Sequence, residues 1–191
     1  MTFNSGTNSL GQSEIENKIQ KACKVSHRER SSVELIVVSK RQPNERVKAA
    51  LDHGFRSFGE NQIQEARERW KSFKPIYPDL RLHLIGALQS NKVADAVDLF
   101  DFIHTIDRDK IAKTVSYEMK KQNKNLPCFI QVNTGREPQK SGINPKEAVE
   151  FAKVCSHDYG LMIKGFMCIP PIEEDASPHF AFLNKLASQA G

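Results

Sequence analysis

The chain has 191 residues, 39% hydrophobic and 27% charged, with a net charge of +5, which fits one soluble globular domain over residues 1–191 with a real core. The basic residues are scattered: the densest cluster, Lys120, Lys121 and Lys124, has Glu118 beside it and reads as a solvated helix face, so composition argues against a nucleic-acid partner. The four cysteines form no C-x-x-C pair and residues 1–13 are polar with no apolar h-region, so the expectation is a cytoplasmic protein with reduced thiols, no signal peptide and no membrane span.

Along the chain, Ile15, Ile19, Ala22 and Cys23 recur at helical spacing, with Ser13 as N-cap and Glu16 completing a capping box. Residues 33–40, V-E-L-I-V-V-S-K, form the first strand, a near-continuous aliphatic run of the kind covered on both faces. It stops at Lys40, and alternation puts Ile36, Val38 and Lys40 on one face and Leu35, Val37 and Ser39 on the other. Pro43 at N1 starts a helix with Val47, Ala50 and Leu51, closed by His53-Gly54. Residues 55–59 are a second strand, and Glu60-Asn61 opens a helix carrying Ile63, Ala66, Trp70 and Phe73. Residues 82–86 are the third strand, followed by a helix begun by Gln89-Ser90-Asn91-Lys92 with Ser90 as cap. Residues 101–106, 127–132 and 162–169 are strands four to six. Helices with Ile111, Ala112, Val115 and Met119, and with Ala148, Phe151, Ala152 and Cys155, lie between them, the latter begun by Asn144-Pro145 after a long loop, residues 133–143. Leu183, Leu186, Ala187 and Ala190 outline a last helix.

Strict alternation of strand and helix predicts a parallel sheet, either doubly wound or closed as a barrel. No G-x-G-x-x-G or G-x-x-x-x-G-K follows a strand, which favours the TIM-type (β/α) barrel. Its C-terminal rim would collect Lys40, Glu60, Asn61, Gln89, Asn91, Lys92, Asp107, Asn133, Lys140 and Met167, a polar set suited to an anionic ligand. The six histidines lack metal-binding spacing and there is no G-x-S-x-G elbow. A lysine nucleophile must shed its proton to attack an aldehyde. A rim site with apolar walls and a second cation, Lys92 or Lys140, favours the neutral amine. Lys92 and Lys140 read equally well as ordinary exposed lysines, and Lys40 taken alone reads more readily as a charge that ends a buried strand by meeting water.

The succession V-V-S-K (37–40), F-G-E-N (58–61), H-L-I-G-A-L-Q-S-N-K (83–92), H-T-I-D (104–107), I-Q-V-N (130–133), K-S-G (140–142) and G-F-M-C-I-P (165–170) resembles the YggS/PROSC family of pyridoxal 5'-phosphate homeostasis proteins. The resemblance covers nearly the whole chain. It implies an α/β fold similar to the N-terminal barrel domain of alanine racemase, with pyridoxal phosphate held as a Schiff base on Lys40. It also implies Asn61 beside the cofactor ring and Lys140 as a second lysine in cofactor handling, with Glu60, His83 and Asp107 as scaffolding. One departure is large: the family's S-M-G-M-S and G-x-T-x-V-R-I-G segments, which supply strands seven and eight, phosphate donors and an arginine facing the pyridine nitrogen, have no counterpart after the sixth βα unit. The expected function is a non-catalytic carrier in intracellular pyridoxal phosphate homeostasis, with apo pyridoxal phosphate-dependent enzymes as recipients. The alternatives are a racemase-like enzyme, whose second acid/base would come from a domain this chain lacks, and an inactive truncated homologue. Complete relatives are expected to be monomers, and this chain to self-associate through unpaired strand edges with weakened cofactor affinity.

Overall fold

The computed structural model describes residues 6–191, with side chains from Glu14 onward; the first five residues of the polar start lie outside the described residues. The chain divides into two compact units, one ending at Leu35 and the other Ile36–Gly191. In the first, helix α1 (Gly6–Val25) begins earlier than the capping box at Ser13 predicts. Ser13 is therefore an interior residue, because no proline stops the helix from extending N-terminally. Glu16 spends its carboxylate on Arg30, with Nε to Oε1 at 2.7 Å and Nη2 to Oε2 at 2.8 Å.

The second unit alternates strand and helix throughout: β1 (Val37–Val38), α2 (Asn44–Asp52), β2 (Ser57–Glu60), α3 (Ile63–Phe73), β3 (Arg81–Leu84), α4 (Val93–Leu99), β4 (Phe102–Ile106), α5 (Asp109–Lys121), β5 (Cys128–Gln131), α6 (Ala148–His157), β6 (Ile163–Met167) and α7 (Ala176–Ala190). All strands pair in parallel, in the order β1-β2-β3-β4-β5-β6, so every strand neighbours its successor in the chain. This is the succession of βα units that builds a TIM-type barrel. Pro43 stands just before α2 as its N-cap residue. Ser90 starts a short 3-10 turn, Ser90–Lys92, and makes no capping bond. Asp175 caps α7, its carboxylate accepting from the Ser177 amide.

One face of the sheet packs under the helices. Phe58, Leu82, Leu84, Ile103, Cys128 and Ile130 are fully buried there together with Trp70, Val97 and Ile111. Alternation sends the next residues to the opposite face. There Gly59 lies against Ile36 and Ile85, His83 stacks on Phe102 and His104 on Phe129, with centroids 4.3 and 4.5 Å apart. His83 Nδ1 and His104 Nε2 share a hydrogen bond of 2.9 Å. The first strand departs from expectation. Only Val37 and Val38 pair, and Val38 is 46% exposed rather than covered, because β1 is an edge strand with a single neighbour, β2.

Candidate functional site

Lys40 follows β1 in a tight turn in which the Gln42 amide donates to Ser39 O (3.0 Å). The Lys40 side chain is exposed, and among the described residues it makes no hydrogen bond or ion pair. The backbone beneath it is held firmly. Arg41 takes a left-handed φ of 58°, costly for a side-chain-bearing residue, and its amide is fixed by Glu65 Oε1 at 3.0 Å. That amide, with Arg69, holds the Glu65 carboxyl below the usual carboxylate range. Arg69 reaches from α3 under the turn. Its Nη1 donates to Ser39 O (3.1 Å) and Glu60 Oε1 (2.5 Å), and its Nη2 to Gln42 O (2.9 Å) and Glu65 Oε1 (2.8 Å). Ser39 Oγ and Trp70 Nε1 also donate to Glu60 Oε1, at 2.8 and 3.1 Å. The guanidinium fork thus clamps both carbonyls flanking Lys40 and Arg41, a bidentate geometry lysine does not reproduce.

Glu60 is accordingly no helix start, and although it ends β2 its side chain turns away from the ligand face, wholly buried on the helix-covered face, and serves as scaffold. Asn61, one residue on, alternates to the other side and enters a cavity of about 340 Å³. That cavity brings together Lys40, Asn61 and Lys140, the three residues singled out in the sequence, with Ile85, Gln131, Asn133 and Ile169 among its walls. Its volume lies at the lower end of the roughly 300–1,000 Å³ typical of small-molecule sites. Gly86 lets the chain after β3 close on Asn61, since a Cβ there would sit 2.2 Å from Asn61 O.

The long loop after β5 is ordered by its own hydrogen bonds. The Ile143 amide donates to Gln131 O (2.8 Å) and the Asn133 amide to Ile143 O (3.0 Å), a parallel bridge extending the sheet. Asn133 Nδ2 donates to Glu137 O (2.8 Å) and the Glu137 amide donates back to Asn133 Oδ1 (3.2 Å). Gly142, at φ 121°, crosses the Asn133 backbone so closely that a Cβ would lie 2.5 Å from its nitrogen. Lys140 is thereby placed over the cavity, with Nζ 2.6 Å from Glu137 Oε2.

The remaining rim candidates separate. Gln89 and Lys92 line a neighbouring cavity of about 350 Å³ that shares Asn61. Lys140, and not Lys92, is therefore the second amine in Lys40's cavity. Asp107 pairs with Arg108 at 2.6 Å, and Asn91 and Met167 line neither cavity. Among the described residues no group of three or more ligating side chains suits a metal ion, and no helix is long and apolar enough to cross a membrane.

Sequence reasoning missed Arg69, Glu65 and Gln131. For Glu60 a signal existed: it lies two residues from Phe58, a core residue, and so shares its face.

Comparison with known proteins gives a consistent result. The family model for the alanine racemase N-terminal domain matches residues 12–189. A pyridoxal phosphate homeostasis protein of Vibrio cholerae is 39% identical over 175 residues, 91% of this chain and 74% of that protein. Among solved structures, PipY of Synechococcus elongatus with pyridoxal phosphate bound superposes with a TM-score of 0.73 at 30% identity, over 90% of this chain and 82% of PipY. A protein from Bifidobacterium adolescentis, described as unknown, superposes with a TM-score of 0.88 at 25% identity, over 97% and 80% of the two chains. The strand order and these matches agree: the chain belongs to the alanine racemase N-terminal domain family, among its pyridoxal phosphate homeostasis proteins.

Proposed function

We propose that the chain binds pyridoxal 5'-phosphate in the Lys40 cavity and acts as a cytoplasmic carrier of that cofactor, catalysing no reaction of its own. The observation that carries the reading is the meeting of Lys40, Asn61 and Lys140 in one cavity. The donor set fits the cofactor. The Lys140 ammonium suits a phosphate-bearing ligand, and buried acceptor oxygens of Asn61 and Gln131 stand without protein partners. When bound, the cofactor supplies an aldehyde carbon with which an uncharged primary amine condenses, releasing water. Lys40 supplies that amine from an exposed position at the strand end, and the Arg69 clamp holds the backbone that carries it. Lys140 keeps a second amine at the same cavity, tethered by Glu137, where it takes part in release to apo-enzymes. The four cysteines, three of them buried, are free thiols, as befits a reducing compartment.

The test is borohydride reduction of the protein mixed with pyridoxal phosphate, followed by peptide mass spectrometry. The label is expected on Lys40 and is expected to vanish in folded Lys40→Ala and Lys40→Arg proteins. An undiminished label on another lysine overturns the assignment, and turnover of an amino acid by the loaded protein overturns the non-catalytic part.

A further inference from the structure

Gln131 is the last residue of β5 and only 6% exposed. Its amide orientation is fixed by chemistry: Nε2 lies 3.4 Å from Ser141 O, a carbonyl that only accepts. The other end of the amide, Oε1, is therefore the acceptor left over, and it is buried with no hydrogen-bond partner. Gln131 lines the Lys40 cavity, as does Asn61, whose Oδ1 is likewise buried and unpartnered. Buried acceptors are rarely left unpaired in folded proteins, so two on one cavity mark where it takes up donors, from water when empty and from a ligand when filled.

We infer that Gln131 is a ligand-recognition residue of this cavity, whose Oε1 accepts a hydrogen bond from an O–H or N–H group carried by the bound ligand. The inference rests on the reading of the cavity as a pyridoxal phosphate site. In that ligand the donor is whichever of the phenolic oxygen beside the aldehyde and the ring nitrogen carries a proton in the bound state. The Ser141 carbonyl sits on the same loop as Lys140, so the loop that carries the second amine also aims the Gln131 acceptor.

The experiment compares pyridoxal phosphate with two analogues, one methylated on the phenolic oxygen and one on the ring nitrogen, each measured by equilibrium titration against wild type, Gln131→Leu and Gln131→Met. For the analogue that lacks the relevant donor, wild type is expected to lose about tenfold in affinity beyond the penalty shown by both variants. Which analogue shows this excess identifies the donor. If both analogues carry the same penalty in wild type as in the variants, Gln131 meets no ligand donor and the inference falls. Each penalty is a ratio of two ligands on the same folded protein, so a uniform loss of active protein cancels, and either variant alone supplies the comparison if the other fails to fold. Failure of wild type to bind pyridoxal phosphate at all would instead overturn the functional reading itself.

Discussion

Arg69→Met should destabilise the protein through Glu60, on the far side of the sheet from the ligand. The Arg69 and Glu60 side chains are 7% and 0% exposed. Methionine keeps much of the volume but removes the only cation within 4 Å of the Glu60 carboxylate among the described residues. Ser39 and Trp70 still donate to Glu60, but neither neutralises it. Removing one partner of a buried pair costs about 3–5 kcal/mol because the other charge is left uncompensated. In a chain of this size each 1 kcal/mol shifts Tm by about 2–4 °C, which sets the expected fall at roughly 6–20 °C. Thermal and urea unfolding followed by circular dichroism measure it. Adding Glu60→Gln should restore most of the loss, since the stranded charge is gone. A fall of less than about 2 °C, or a double variant no more stable than Arg69→Met, would refute the uncompensated-charge argument.

Gly86→Ala should cost about 1–3 kcal/mol and weaken labelling at Lys40, because the new methyl must push Asn61 out of the cavity wall; urea titration and borohydride trapping read the two effects, and unchanged labelling in a destabilised variant would separate Asn61 from the site. Lys140→Ala should leave attachment at Lys40 intact while slowing transfer to an apo-enzyme, and a wild-type transfer rate would dismiss its role in release. Burial pushes the Cys128 thiol up from 9.0 to about 12. The unfolded thiol therefore ionises first, and the stability this residue contributes below pH 9 is lost as pH rises from 9 toward 12. The advantage of wild type over Cys128→Ala in urea unfolding should accordingly shrink between pH 8 and pH 10.5, and a constant gap would contradict the burial effect.

Much of the architecture was legible because each strand is a short run with a helical pattern behind it, and apart from β1, which shrinks to Val37–Val38, the strands and the helices between them stand close to where those patterns put them. Helix starts were less so. Ser13 and Ser90 have the right side chains for caps, yet a helix extends N-terminally through one and a 3-10 turn intervenes at the other. The site lysines and Asn61 were read from motifs. The Arg69 clamp was not legible, since Glu65 and Arg69 four residues apart in E-A-R-E-R-W look like an ordinary solvated ion pair. Only the tertiary approach of the β1–α2 turn buries Arg69 and leaves Glu65 half-buried against it. Gln131 was hidden for a similar reason: within I-Q-V-N an amide at a strand end carries no sign of an unsatisfied oxygen.

The sheet order has a consequence for how the molecule is made. Because every strand pairs with its successor in the chain, each pairing closes only the one helix and its loops between two strands, so the entropy lost per closure stays small. Such sequence-local pairing lowers contact order relative to folds that bring distant strands together. A ribosome-bound chain can add β2 to β1, then β3 to β2, as each unit emerges, so a growing intermediate exposes one fresh edge at a time. Chaperone dependence during synthesis should therefore concentrate on whichever strand is last in line rather than on the sheet as a whole.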